Sequence, residues 1–137
     1  MLKEQLRTWL EGKDLDVIDC GAQTHDPGDD FVDMARVVAE KVATANIARG
    51  ILICGSGAGV CIAANKRAGI RAGVGWRVDQ VVASRRDDDI NILALPADYI
   101  SEDEAQSLVE AFLQTEFIPE ERFVRRIAKI KDLETHA

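Results

Sequence analysis

One run of the chain combines a thiol with a glycine-rich turn. Residues 50–66 read GILICGSGAGVCIAANK, which places Cys54 directly after a short apolar segment. Glycines at such a strand-to-helix turn leave backbone N–H groups uncovered, and the start of the following helix adds a partial positive charge. This setting favours the thiolate form of a cysteine and can hold an anion. The sequence therefore predicts that Cys54 is reactive.

A simpler interpretation treats Cys54 as a small core residue in a tight turn. Known nucleotide-binding glycine motifs fit the run poorly. A phosphate-binding P-loop ends in Gly-Lys followed by serine or threonine, whereas the chain has Gly59-Val60-Cys61. A dinucleotide-binding loop that starts at Gly55 would need its third glycine at Val60. The sequence thus favours a reactive thiol over a nucleotide site.

Strands and helices alternate on either side of the thiol. Apolar segments typical of strands occur at residues 15–20, 51–53, 70–74 and 92–95. Helices are predicted from the start to near Gly12, after Asp30, between about Val78 and Arg86, from Ser101 through Phe117, and after Pro119. The predicted inward faces are Leu2, Leu6, Trp9 and Leu10 in the first helix, Met34, Val37, Val38 and Val42 in the second, and Val78, Val81 and Val82 in the helix that begins at Val78. Ser101 and Glu104 have the spacing of a capping box.

This alternation predicts an α/β fold. We expect one domain over residues 1–137, with a doubly wound, Rossmann-like and mostly parallel sheet that carries helices on both faces. Ligands of such sheets bind outside the carboxyl ends of the strands, at the switch point of the winding. Cys54 and its loop are expected at that edge.

Composition restricts the partners. The chain has 137 residues, a formal net charge of -7 and a pI near 4.8, which argue against general binding to nucleic acid or to an anionic membrane. No apolar run approaches a membrane span, and the charged start differs from a signal peptide, so a cytoplasmic protein is expected. Cys20, Cys54 and Cys61 form no CxxC pair, which indicates reduced thiols. Neither a metal nor a cofactor is expected.

Three segments resemble the family of ribose-5-phosphate isomerase B and galactose-6-phosphate isomerase. They are GILICGSGAGVCIAANKRAGIRA at 50–72, SRRDDDINILAL at 84–95 and ERFVRRIAKI at 121–130. The resemblance implies metal-free interconversion of an aldose and a ketose phosphate through an enediolate, of the ribose 5-phosphate and ribulose 5-phosphate type. It also implies a homodimer or homotetramer with active sites shared between subunits, and a last helix, at about 120–133, that packs on a partner.

The resemblance assigns roles to individual residues. Cys54 would move a proton between C2 and C1, and Ser56, where the family usually has threonine, would help to shuttle hydroxyl protons. The backbone of four residues would hold the oxyanion, namely Gly55, Gly57, Ala58 and Gly59. Arg122 and Arg126 match the phosphate-binding arginines and lie one helical turn apart. Without the resemblance they would be interpreted as a solvated basic face.

The chain also departs from the family pattern. By this resemblance the given chain begins inside the first helix, so we expect it to lack the initial strand of the family and the Asp-His pair of that strand. The ring-opening histidine and the asparagine that follows it fall on Asp87 and Asp88, and an arginine thought to reach phosphate across the subunit interface falls on Asp98. Asp87 would then open the sugar ring, with Asp88 beside it in the substrate site. Alternatively, residues 87–89 terminate a helix in solvent. Phe31 stands where many members have tyrosine, and Phe123 where many have histidine.

Two functions remain open at this stage. The first is an active sugar-phosphate isomerase with an altered pocket. The second is a catalytically impaired member of the family that serves as a sugar-phosphate-binding or partner subunit. Because the first helix has an apolar face suited to covering a sheet, we also expect the natural chain to be longer, with Met1 as an internal methionine.

Overall fold

The structure is a computed structural model that describes residues 2–21, 30–45 and 48–135. Its elements follow one another as α1 (Leu2–Glu11), α2 (Phe31–Thr44), β1 (Gly50–Cys54), α3 (Ala58–Ala64), β2 (Ala72–Val74), α4 (Val78–Asp88), β3 (Ile92–Pro96), α5 (Glu102–Gln114) and α6 (Glu121–Thr135). Among these elements, no helix has both the length and the apolar character needed to cross a membrane.

A parallel three-stranded sheet forms the centre of the described residues, with strand order β1-β3-β2. Cys54 lies opposite Pro96, and Val74 lies opposite Ala94. All five residues of β3 are buried, which explains its continuous apolar sequence, ILALP. Because β3 is the middle strand, the segment that follows it lies between the ends of β1 and β2.

Helices cover both faces of this sheet, so the predicted α/β fold class is confirmed. On one face, α2 and α3 pack through Ala35, Ala39, Val42, Val60 and Ala64. On the other, α1, α4 and α5 pack through Leu6, Leu10, Val81, Leu108, Val109 and Phe112. Ser101 and Glu104 form the predicted capping box at the start of α5.

The predicted inward faces of two helices need correction. In α2 the buried residues are Ala35, Ala39 and Val42, whereas Val37 is 39% exposed. Alanines allow the helix to pack closer to α3 and the sheet than valines would. The buried face of α2 is therefore the alanine face and not the predicted valine face. In α4, Val81 is fully buried but Val78 is 46% exposed.

The predicted strand at 15–20 is wrong. This segment has no ladder partner among the described residues, and Leu15 and Ile18 are 45% and 72% exposed. An apolar segment of this length forms a strand only beside another strand. Here the segment is instead held to α1, because the Asp19 carboxylate accepts hydrogen bonds from Lys3 at 3.2 Å and Arg7 at 3.3 Å.

Two other predicted boundaries are too long. The strand predicted at 70–74 begins only at Ala72, since the Arg71 and Ala72 N–H groups donate to the side chains of Asn91 and Asn65, each at 2.8 Å. The helix predicted through Phe117 ends at Gln114.

Two arginine side chains lie at the amino end of the sheet, where β3 begins. Arg85 is 3% exposed, pairs with Asp89 at 2.9 Å and donates to the Thr115 carbonyl at 3.0 Å. Arg71 pairs with the other oxygen of Asp89 at 3.2 Å. These contacts fix the end of α4 against α5, and with it the position of the acidic residues that precede Asp89.

Candidate active site

The sulfur of Cys54 lies at the carboxyl end of β1, as the sequence predicts. Cys54 is half-buried, and its carbonyl accepts a hydrogen bond from Ala97 N–H at 2.8 Å. The Gly57 N–H points back at the sulfur, with 3.2 Å between N and Sγ. Since α3 has only seven residues, this directed N–H is the more substantial electrostatic contact to the thiol.

The turn between β1 and α3 depends on Gly57. Its φ of +78° is a left-handed conformation that glycine adopts without strain. The next N–H, from Ala58, donates to Ser56 Oγ at 3.2 Å. Two of the N–H groups predicted to hold an oxyanion therefore already face side-chain acceptors, the Cys54 sulfur and the Ser56 hydroxyl. A substrate oxygen would share or replace these contacts.

Two side chains that approach the loop were not predicted to contact it. A Cβ placed on Gly55 would lie 2.6 Å from Asp98 Oδ2, and one placed on Gly59 would lie 2.7 Å from the Phe31 ring. Glycine is thus needed at both positions because a carboxylate and an aromatic ring lie against the backbone. The position of Asp98 just after the central strand was a usable signal, since the ends of parallel strands meet at one edge.

Cys61, the other thiol in this region, has a structural role. Its Sγ–H donates to the Ala72 carbonyl at 3.3 Å. Burial raises the pKa of the Cys61 thiol, and the neighbouring Cys54 raises it further. Within residues 2–21, 30–45 and 48–135, no group of three or more His, Cys, Asp or Glu side chains is placed to hold a metal ion.

The predicted carboxylates of Asp87 and Asp88 and the predicted arginines of α6 lie at the opposite end of the strands from Cys54. Helix α4 runs from the carboxyl end of β2 to the amino end of β3, and its eleven residues extend about 16 Å. Asp87 and Asp88, in its last turn, therefore lie far from Cys54. The segment before α6 joins them there, because Ile118 N–H donates to the Arg86 carbonyl at 3.0 Å.

Charges in this second cluster are partly paired. Arg86 Nε donates to Asp87 Oδ1 at 2.9 Å. Loss of solvent raises the pKa of the Asp88 carboxyl, the charge of Asp87 raises it further, and Arg126 opposes both. Arg122 lies over the Phe123 ring at 4.7 Å and pairs with Glu120 at 3.3 Å.

One chain thus carries two separate groups of candidate residues. We call Cys54, Ser56 and the 55–59 loop, with Asp98 and Phe31, the thiol half-site. We call Asp87, Asp88, Arg122 and Arg126 the arginine half-site. The structure brings the members of each group together but does not bring the two groups together within one chain.

The family model described as Ribose/Galactose Isomerase matches residues 1–130. The chain belongs to this family. The resemblance found in the residues around Cys54 is therefore confirmed. As a ribose/galactose isomerase family member, the chain has relatives that match it over most of its length.

One relative is the probable ribose-5-phosphate isomerase B of Mycoplasma pneumoniae, 38% identical, with 94% of this chain and 84% of the relative covered. Another is the D-erythrulose-4-phosphate isomerase 2 of Mycolicibacterium smegmatis, 36% identical, with 96% of this chain and 86% of the relative covered. The chain also matches a solved structure, ribose-5-phosphate isomerase B from Mycoplasma genitalium with bound ribulose-5-phosphate. The TM-score is 0.93 at 36% identity, and the match covers 99% of this chain and 90% of the solved chain.

Proposed function

We propose that this family member interconverts an aldose phosphate and a ketose phosphate, with Cys54 as the base. The observation that carries the proposal is the Gly57 N–H directed at the Cys54 sulfur, at 3.2 Å, in a loop at the carboxyl edge of the sheet. Ribose 5-phosphate is the first substrate to test, in keeping with the names of the relatives. The corresponding role is in the pentose phosphate pathway, in the cytoplasm.

The reaction moves one proton from C2 to C1 and another from O2 to O1, without net oxidation of the sugar. The Cys54 thiolate takes the proton from C2 of the open-chain aldose, and the electrons left behind form the enediolate. The thiol then returns a proton to C1, which gives the ketose. Ser56 passes a hydroxyl proton between O1 and O2, and the loop N–H groups hold the developing oxyanion.

The arginine half-site supplies the remaining functions. Arg122 and Arg126 bind the phosphate, and Asp87 acts as acid and base in ring opening, with Asp88 beside the substrate. Since these residues lie at the far edge of the sheet from Cys54, they come from a second copy of the chain. The protein is accordingly a homodimer or a homotetramer, with shared sites.

Helix α6 offers a surface for this assembly. Val124, Ile130 and Leu133 on this helix are 47%, 45% and 68% exposed. Contiguous exposed apolar side chains mark interaction sites, and Ile130 and Leu133 are neighbours one turn apart on α6. We propose that α6 packs on the partner and carries Arg122 and Arg126 towards the partner's thiol half-site.

The test is turnover of ribose 5-phosphate in D₂O, followed by NMR. The wild type should produce ribulose 5-phosphate with deuterium at C1. Cys54→Ala should lose at least about 10²-fold in rate, which is the usual contribution of a positioned base. Cys61→Ala is the matched control and should retain activity. A Cys54→Ala protein as active as the wild type would contradict the proposed mechanism.

The alternative function is a binding or partner subunit, and Asp98 beside the thiol is the observation that favours it. In that case the wild type would show no turnover of tetrose, pentose or hexose phosphates, yet a sugar phosphate would raise its melting temperature.

A further inference from the structure

Asp98 is a charged side chain of the thiol half-site to which the proposed reaction gives no role. Its carboxylate lies over Gly55, where an added Cβ would be 2.6 Å from Oδ2, and its N–H donates to the Gly55 carbonyl at 3.1 Å. Asp98 is exposed to solvent. Because the Asp98 carboxylate lies against the Gly55 backbone, it would contact any molecule that binds over the loop.

The turn that contains Asp98 does not need the carboxylate. The turn is closed by a hydrogen bond from Tyr99 N–H to the Pro96 carbonyl, at 2.9 Å. Asp98 contributes only its backbone, whose N–H donates to the Gly55 carbonyl. Among the residues that the structure describes, no cation pairs with the Asp98 carboxylate and no donor bonds to it. Both oxygens are therefore available to a ligand.

An ionised carboxylate only accepts hydrogen bonds and repels other anions. Sugar hydroxyls are donors, whereas a phosphate or carboxylate at the same place would be repelled. In the proposed function the phosphate lies at the arginine half-site, so the carbonyl end of the sugar lies over the loop beside Asp98.

We propose that Asp98 is a specificity-determining residue that accepts hydrogen bonds from hydroxyls at the carbonyl end of the substrate and excludes sugars with a second anionic group there. The substrates are thus monophosphates with an uncharged C1 end. This inference rests on the proposed function, since it uses the same loop and the same substrate orientation.

Two unreactive ligands provide the test, ribitol 5-phosphate and ribitol 1,5-bisphosphate, which differ by an anionic phosphoryl group on O1. Their dissociation constants are measured by calorimetry for the wild type, Asp98→Asn and Asp98→Ala. Asp98→Asn keeps the size of the side chain and removes its charge. Asp103→Asn, an exposed aspartate in the first turn of α5, is the matched control.

In the wild type the monophosphate should bind more tightly than the bisphosphate. Asp98→Asn should reduce that preference by about tenfold, with tighter bisphosphate binding and weaker monophosphate binding, and Asp103→Asn should leave it unchanged. A preference that changes by less than about twofold in both Asp98 variants overturns the inference. So does a wild type that binds neither ligand.

Turnover of ribose 5-phosphate, measured in parallel, separates the two proposals. If the wild type turns over the sugar and the preference does not respond to Asp98, only the role of Asp98 fails. If the Asp98 variants change the preference for the monophosphate but the wild type does not turn over the sugar, the role of Asp98 holds and the proposed isomerase activity fails.

Discussion

The thiol half-site and the arginine half-site are built in different ways. In the thiol half-site, backbone groups make the main contacts, such as Gly57 N–H to the Cys54 sulfur at 3.2 Å and Ala97 N–H to the Cys54 carbonyl at 2.8 Å. In the arginine half-site, side chains from the last turn of α4 and the first half of α6 carry the charges, and the Arg122 side chain is 59% exposed. The first is therefore held by backbone contacts within one chain, whereas the proposed contribution of the second depends on a partner.

The largest expected effect concerns the support of the arginine half-site. Arg85→Met should lower the free energy of unfolding by about 3 kcal/mol, because it removes a buried guanidinium that donates to the Asp89 carboxylate and to the Thr115 and Ile90 carbonyls. Arg86→Met, the adjacent control, removes only the exposed pair with Asp87 and should cost much less. Urea denaturation of both variants measures the difference. Equal losses would show that burial of Arg85 does not fix the end of α4.

The next prediction concerns the backbone of the thiol half-site. Gly57 and Gly69 both have positive φ, of +78° and +87°, so the backbone strain of alanine at either position should cost about 1–2 kcal/mol of stability. Gly57→Ala should cost more than Gly69→Ala, because its Cβ would lie 3.2 Å from the Val74 side chain. Only Gly57→Ala should also lower kcat/KM, by about tenfold or more, since its N–H faces the Cys54 sulfur.

Gly69 is the control because an added Cβ there meets no atom within 4 Å. The two measurements are thermal unfolding and steady-state kinetics. If both variants reduce kcat/KM equally, the orientation of the Gly57 N–H does not matter for the reaction.

A smaller effect should separate the two neighbouring thiols. Burial, with a contribution from Cys54, raises the pKa of Cys61, and its S–H is bonded to the Ala72 carbonyl, so few Cys61 thiolates form at neutral pH. Iodoacetamide should modify Cys54 at least about tenfold faster than Cys61 at pH 7.5. Peptide mass spectrometry over time measures both rates. Faster labelling of Cys61 would contradict the structural role given to it.

The smallest effect concerns Asp88. Its folded pKa is raised by loss of solvent and by Asp87, so the native state binds the proton more readily than the unfolded chain. Stability then falls as pH rises from the unfolded pKa through the folded pKa. Asp88→Asn should therefore add stability at pH 7, by less than about 0.5 kcal/mol at this solvated site, and none at pH 3. A loss of stability at pH 7 would indicate that Asp88 is held ionised by Arg126.

The sequence predicted best what local chemistry determines. The Gly55 to Gly59 turn after an apolar strand, the capping box of α5 and the fully apolar strand β3 each depend on residue types at fixed spacing, and the structure contains all three. The contacts of Asp98 and Phe31 with the loop depend instead on how separate segments pack, which spacing does not encode.

The errors have the same origin. The apolar residues of 15–20 would form a strand only beside a neighbouring strand, and the buried face of α2 was decided by the fit of its alanines against α3.

Complementation between two variants tests most directly whether the half-sites act together across two copies. Cys54→Ala and the double variant Arg122→Ala with Arg126→Ala should each be inactive alone. Mixed after denaturation and refolding together, they should regain about a quarter of wild-type turnover of ribose 5-phosphate, because half of the dimers are mixed and each mixed dimer has one intact site. No regained activity, in a sample where native mass spectrometry detects the mixed dimers, would contradict the shared site.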